Sequence, residues 1–177
     1  MLVRQVIART DLLKEFKIKK LRSMLVMLTL FPTPFKEIYY VPTHEERKAS
    51  TMESPELVLT KAIRMFLSTD NFYYSCRTAE EHWAIKWQPI GEIHVVNTEI
   101  SRTIDLKNRI TKNEMKANPR AKRISKIISL YGNKIIFHKV KSIADAKFKR
   151  TPYGAYALRS QIKKDKKRFR ERETEDE

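Results

Sequence analysis

Four side chains near the N-terminus have the types and the spacing that suit contact with base edges and phosphates. They are Lys19, Lys20, Arg22 and Ser23, at the start of a segment whose apolar residues recur at helical spacing. Arginine and lysine can pair with guanine edges, and a serine hydroxyl can bond to a base or a phosphate. In a helix-turn-helix, the second helix enters the major groove with its N-terminal residues nearest the bases. We therefore predict that these four side chains contact DNA; an ordinary helical hairpin with lysine-rich ends is the alternative.

A second group of basic side chains lies between residues 107 and 128, where Glu114 is the only acid. Several of them recur every three or four residues, so they would line one side of a helix that is kinked at Pro119. Such a stripe could follow the phosphates of DNA or RNA, or could be a solvated helix face. The predicted phosphate-binding residues are Arg109, Lys112, Lys116, Arg120, Lys122, Arg123 and Lys126.

Residues that could bind a metal or act as nucleophiles are present, but their spacing follows no known pattern. The histidines His44, His82, His94 and His138, together with Cys76, fit no closed set of metal ligands. A nucleophile–base pair of Cys76 with His82 has no supporting pattern, and a lone cysteine is often a core residue. We therefore expect no metal, no cofactor and no catalytic residue.

One fragment leaves a catalytic alternative open. Asp105 and Lys107 stand two residues apart at the end of a predicted strand, and such a pair can hold Mg²⁺ and position a water. A nuclease would need a second converging acid, for which Asp70 and Glu92 are the candidates. Because aspartate and lysine are common at strand ends, we interpret the chain as non-enzymatic, with an Mg²⁺-dependent nuclease as an alternative.

The positive charge is concentrated in the second half of the chain. Residues 1–100 hold 14 Lys and Arg against 12 Asp and Glu, whereas residues 101–170 hold 22 against 4. A net charge of +16 distributed in this way favours a polyanionic partner, by default a nucleic acid. The three glycines form no glycine-rich phosphate loop, and one cysteine excludes an internal disulfide. The lone cysteine and the lack of a long apolar stretch favour a cytoplasmic protein with no membrane segment.

The pattern of apolar residues and turns predicts an α+β fold. We expect an N-terminal winged-helix-like module followed by a mixed α/β domain with about four to five strands. The predicted segments are a DNA-binding module at 1–45, a polar linker at 43–53, the mixed domain at 54–150 and a basic helical tail with an acidic end at 151–177.

Local signals place some elements of the mixed domain. Thr78 and Glu81 have the spacing of a capping box, which predicts that a helix begins at Thr78. The strand-forming segments 93–96 and 102–105 are predicted to pair with each other. A further helix is predicted from Tyr153 onward.

Three segments of the mixed domain resemble the C-terminal domain of the AbiE-type antitoxins, also described as transcriptional regulators of viral defence systems. They are residues 72–83, 93–98 and 135–140, with the sequences FYYSCRTAEEHW, IHVVNT and IIFHKV. The family usually carries a winged helix-turn-helix before this domain. The chain departs from the family pattern at Glu80 and Trp83, where the family tends to have leucine and glycine.

The resemblance implies a repressor of its own operon that is also the antitoxin of a type IV toxin–antitoxin system. It implies a nucleotidyltransferase-type toxin as the functional partner, without an obligatory stable complex. We therefore predict a DNA-binding transcriptional regulator and antitoxin that binds its own promoter. A basic RNA-binding or ribosome-associated protein, with residues 112–126 as its main surface, is the alternative.

Overall fold

The computed structural model describes residues 5–85, 91–107 and 118–173. Within these residues the fold is mixed α+β with seven helices and two sheets, which confirms the predicted class. The helices are α1 Arg9–Glu15, α2 Ile18–Val26, α3 His44–Ala49, α4 Pro55–Leu67, α5 Cys76–His82, α6 Pro119–Ser129 and α7 Arg159–Glu173. The strands are β1 Gln5–Ala8, β2 Phe31–Pro32, β3 Ile38–Val41, β4 Phe72–Tyr74, β5 Glu92–Asn97, β6 Arg102–Asp105, β7 Lys134–Lys139, β8 Phe148–Thr151 and β9 Gly154–Ala157.

The chain forms two compact units and enters each of them twice. Unit 1 comprises residues 1–68 and 106–131, and unit 2 comprises residues 69–105 and 132–177. These units do not follow the consecutive segments expected from the sequence, because α6 belongs to unit 1 and α7 belongs to unit 2. None of the described helices has the length and apolar composition needed to cross a bilayer.

Unit 1 contains a three-stranded antiparallel sheet with the order β1-β3-β2. Tyr40 of the central strand β3 pairs with residues of both neighbours. One face of this sheet packs with α1 and α2 through a cluster of buried aliphatic side chains. These are Ile7, Leu12, Leu21 and Leu30. Their removal from water stabilises the arrangement of the two helices on the sheet.

Unit 2 contains a six-stranded mixed sheet with the order β6-β7-β5-β4-β9-β8. Strands β5 and β7 are parallel, with Glu92 beside Lys134, and β4 runs antiparallel to β5. Helices α5 and α7 share a buried cluster with this sheet, which includes Ala79, Val96 and Phe169.

The sheet of unit 2 corrects two predictions. It has six strands among the described residues instead of four or five, because residues 148–157 form the hairpin β8–β9 where a helix from Tyr153 was predicted. The predicted pairing of β5 with β6 is also wrong, since both strands pair with β7. Helix α7 begins only at Arg159, after the hairpin.

Three helix starts also differ from the prediction. The predicted linker contains α3, which begins with a complete capping box: the Thr43 hydroxyl accepts from the Glu46 amide at 3.1 Å, and the Glu46 carboxylate accepts from the Thr43 amide at 2.8 Å. Thr78 does not cap α5 but lies within it, where its hydroxyl accepts from the His94 amide of β5 at 2.7 Å. Pro119 starts α6 and does not kink it.

Candidate nucleic-acid interface

Helix α2 presents a basic face to solvent. Its inner side is anchored by Leu21, which is buried, and by Met24 and Leu25, which are partly buried against the same cluster. The four residues predicted to contact DNA, Lys19, Lys20, Arg22 and Ser23, are all exposed. Helix α2 contains no acid, and none of these four side chains has a hydrogen bond or ion pair with another described residue.

The same exposed face continues into two apolar side chains that the sequence reasoning missed. Val26, the last residue of α2, is 56 % exposed and Met27 is 71 % exposed. The helical spacing from Leu21 could have revealed both, because residues five and six positions further along lie off the buried side. Cations at one end and apolar side chains at the other suit a duplex groove, which offers phosphates and thymine methyl groups.

Three described cations of the second basic group, Arg120, Arg123 and Lys126, already have contacts within unit 1. Arg123 donates to the Arg47 carbonyl at 3.0 Å and to the Ser50 hydroxyl at 3.2 Å, and Lys126 donates to the Ala49 carbonyl at 2.9 Å. All three acceptors lie at the C-terminal end of α3, where free carbonyls concentrate partial negative charge.

The first turn of α6 also donates a hydrogen bond to a carbonyl near the end of α2. The Arg120 guanidinium donates to the Leu25 carbonyl, near the end of α2, at 3.1 Å. Lys122 is exposed and has no partner among the described residues. Arg120, Arg123 and Lys126 therefore hold the ends of α2 and α3, which is sufficient to explain their presence on α6. Arg109, Lys112 and Lys116 lie outside the described residues, so the predicted phosphate stripe stays a prediction.

Glu92 and Asp105, two acids of the nuclease alternative, lie at one end of the sheet in unit 2, whereas Asp70 precedes β4 at the opposite end. Glu92 pairs with Lys134, and Lys134 pairs with Asp105 on its other side, so the two acids are two strand spacings apart, about 10 Å between Cα atoms. The Glu92 carboxylate lies 3.7 Å from the cationic groups of both Arg77 and Lys134. Asp70 is exposed before β4, and Lys107 is exposed after β6. In the described part of the chain, no three metal-ligating side chains are grouped to hold an ion.

Two of the histidines, the buried His94 and the half-buried His138, form a pair beside Glu92. His94 Nδ1 lies 3.0 Å from His138 Nε2, and His94 Nε2 has no hydrogen-bond partner and lies 3.7 Å from the Glu92 carboxylate. Burial lowers the pKa of His94, because the charged imidazole would lose its hydration. His138 also stacks on Phe169 of α7. Burial therefore favours the neutral form of His94.

The remaining candidates for nucleophile or ligand are Cys76, His82 and His44. Cys76 is buried, and burial raises the pKa of its thiol to about 12, so the reactive thiolate is suppressed. His82 stacks on Tyr156 at 3.6 Å between ring centroids. His44 is exposed in the first turn of α3.

The structure thus groups the four predicted α2 residues on one exposed face, and it engages Arg120, Arg123 and Lys126 of α6 elsewhere in unit 1. It keeps the two acids of the nuclease alternative apart. The chain matches no family model, no curated protein and no solved structure in comparisons with known proteins.

Proposed function

We propose that this protein is a non-enzymatic, DNA-binding transcriptional regulator whose helix α2 reads the major groove. The observation that carries the proposal is the exposed, acid-free face of α2, whose cations have no partner among the described residues. The buried apolar side of α2 fixes the helix, and its unpaired cations remain available to a phosphate or a base edge.

The order of elements around α2 supports the same proposal. A strand, two helices and two further strands follow one another, and the first strand lies beside the third. This is the order of a winged helix, in which the second helix enters the groove and the hairpin forms the wing. Here the hairpin is β2–β3, with Lys36 exposed in its loop. Glu37 takes the left-handed conformation there, with φ of 64°, which replaces the glycine that the loop lacks.

We further propose that the protein acts as the antitoxin of a type IV toxin–antitoxin system, with a nucleotidyltransferase-type toxin as its functional partner. This part rests on the sequence resemblance alone. Co-expression with a nucleotidyltransferase encoded beside it should relieve toxicity. If the full chain gives no relief, the antitoxin role is refuted while DNA binding by α2 stands.

In vitro selection tests the DNA-binding proposal. The full chain is used to select from a randomised duplex library, and its affinity is then measured by fluorescence anisotropy. The ligands are the enriched duplex, its scrambled version and a tRNA, each at two salt concentrations. We expect an enriched motif and tighter binding to it than to either control.

Matched variants locate the interface. Arg22→Ala should weaken binding to the enriched duplex by about 5- to 150-fold if the guanidinium pairs with a base, since such pairs are worth about 1–3 kcal/mol. The control, Lys48→Ala, removes an exposed cation of α3 in the same unit and should change little. An equal loss on scrambled DNA would make Arg22 a phosphate contact. No loss on either DNA would remove α2 from the interface, and preference for tRNA would favour the RNA-binding alternative.

A further inference from the structure

Helix α7 is strongly two-sided. Its inner side carries Gln161, Ile162, Asp165 and Phe169, all of which are buried in unit 2. Asp165 fixes the helix to the sheet, because its carboxylate accepts hydrogen bonds from side chains of β4 and of the residue that follows it. The helix is therefore held in a defined rotation, which determines the residues that it presents to solvent.

The outer side of α7 is almost entirely cationic. Up to Phe169 its exposed residues are one serine and five cations, and none of these cations has an ion pair or hydrogen bond with another described residue. They are Arg159, Lys163, Lys164, Lys167 and Arg168. Three pairs of them are spaced i,i+4, which places like charges next to one another and destabilises the helix. The one remaining lysine of this stretch, Lys166, is paired with Glu80.

One further cation is held beside the start of this helix. The Leu158 amide donates to the Lys147 carbonyl at 2.8 Å, and the Lys147 amide donates to the Gln161 side chain at 3.3 Å. The backbone of Lys147 therefore lies next to the first turn of α7, and its side chain is exposed. We call Lys147 and the five outer cations of α7 the C-terminal basic face.

We propose that the C-terminal basic face binds the sugar-phosphate backbone of duplex DNA without reading its sequence, as a contact separate from α2. Residues four apart on a helix lie about 6 Å apart along its axis, while each DNA strand carries a phosphate every 3.4 Å or so. Five cations within ten residues can thus meet several phosphates at once, and those phosphates relieve the repulsion between the like charges of α7.

The other polyanions fit this face less well. A membrane-surface helix needs an exposed apolar side to insert between lipids, and the apolar side of α7 is buried. Single-stranded nucleic acid is held largely by stacking of bases on aromatic rings, and the outer side of α7 up to Phe169 has none. A duplex backbone needs only the charges.

The test compares two triple variants of the full chain that lose the same charge. The first changes three outer lysines of α7 to glutamine: Lys163, Lys164 and Lys167. The control makes the same change at three lysines elsewhere, none of which has a partner among the described residues: Lys48, Lys61 and Lys141. Both sets leave the buried residues intact, and thermal melting followed by circular dichroism checks that both proteins fold. A third variant, with arginine at the three α7 positions, keeps the charge.

Binding to a random-sequence duplex is measured by anisotropy over a range of salt concentrations. Each phosphate contact contributes about 0.9 to the slope of log K against log salt. We expect the α7 glutamine variant to lower the slope by about 2–3 and the arginine variant to keep it, with a change below about 1 in the control. Equal slopes for the two glutamine variants would overturn the proposal.

Three further measurements separate this contact from its rivals. The ratio of affinities for the enriched and scrambled duplexes should be the same with and without the α7 glutamine changes, because α2 sets that ratio. If the glutamine changes abolish the preference for the enriched duplex but leave the salt slope unchanged, the backbone contact is refuted. If they lower the salt slope as expected but the selection yields no enriched motif, only sequence reading by α2 is refuted. Tighter binding to duplex RNA or to anionic phospholipid vesicles than to DNA would overturn DNA as the occupant.

Discussion

Replacing Asp165 tests whether the buried polar network holds α7 in unit 2. Asp165 is 2 % exposed, and its carboxylate serves as the common acceptor of three side chains. The Tyr73 hydroxyl donates to it at 3.1 Å, the Ser75 hydroxyl at 2.5 Å and the Gln161 amide at 2.8 Å. The substitution Asp165→Ala removes this acceptor and leaves three buried donors behind.

The size of the effect follows from those three donors. A buried donor that loses its acceptor costs about 1–3 kcal/mol, and rotation of the two hydroxyls toward other acceptors recovers part of this. Removing the carboxylate also relieves the cost of keeping it out of water. We therefore expect Asp165→Ala to lower the free energy of unfolding of unit 2 by about 3–5 kcal/mol. Asp165→Asn keeps the shape and one acceptor oxygen, so it should cost about 1–2 kcal/mol.

Tryptophan fluorescence during a urea titration measures this loss in unit 2. Both tryptophans of the chain, Trp83 and Trp87, belong to the segment 69–105 of that unit. The control Asp145→Ala removes an exposed acid of the same unit and should change stability by no more than about 0.5 kcal/mol. A loss below about 1 kcal/mol for Asp165→Ala would refute the argument that the network anchors α7.

Three further outcomes are expected. Burial lowers the pKa of His94 in the folded protein, so below the ordinary histidine pKa of 6.5 the unfolded chain binds a proton more readily than the folded chain does. Unit 2 should therefore lose stability between pH 7 and pH 5, and His94→Gln should make this loss with pH smaller in urea titrations. Arg123→Ala should lower the stability of unit 1 by about 1 kcal/mol and speed hydrogen exchange in α3, whereas Lys122→Ala should not. With a pKa raised to about 12, Cys76 should resist a thiol reagent at pH 8 until urea unfolds the protein; fast reaction of the folded chain would contradict its burial.

Local signals in the sequence were sufficient where one residue type decides the backbone. Pro55 follows Ser54, a pair typical of a helix start, and α4 begins there. The helix α3 could have been found by the same reasoning, because Thr43 and Glu46 have the capping-box spacing and do form the box. The equivalent pair at Thr78 does not cap a helix, since its hydroxyl is used by strand β5 instead. Tertiary contacts therefore determine whether the side chain of a capping pattern is free to cap the helix.

The pairing of strands that are distant in the sequence could not be predicted from local patterns. The strand β7 enters between β5 and β6, although it follows both of them in the chain, so the pairing of neighbours in sequence is replaced by a pairing with a distant strand. The role of Arg123 and Lys126 was hidden for the same reason, because their acceptors lie more than 70 positions earlier. Charge spacing alone cannot separate cations that face a ligand from cations that bind a helix end.

Unit 1 is built from two separate segments of the chain, and these segments are synthesised at different times. The carbonyls at the end of α3 receive donors from α6, which is translated only after residues 69–105 of the other unit. At about 5–20 residues per second, the gap between Ala49 and Lys126 takes about 4–15 seconds to translate. During that interval the nascent chain holds α3 without its cations, so unit 1 can be completed only after the first segment of unit 2, residues 69–105, has been made.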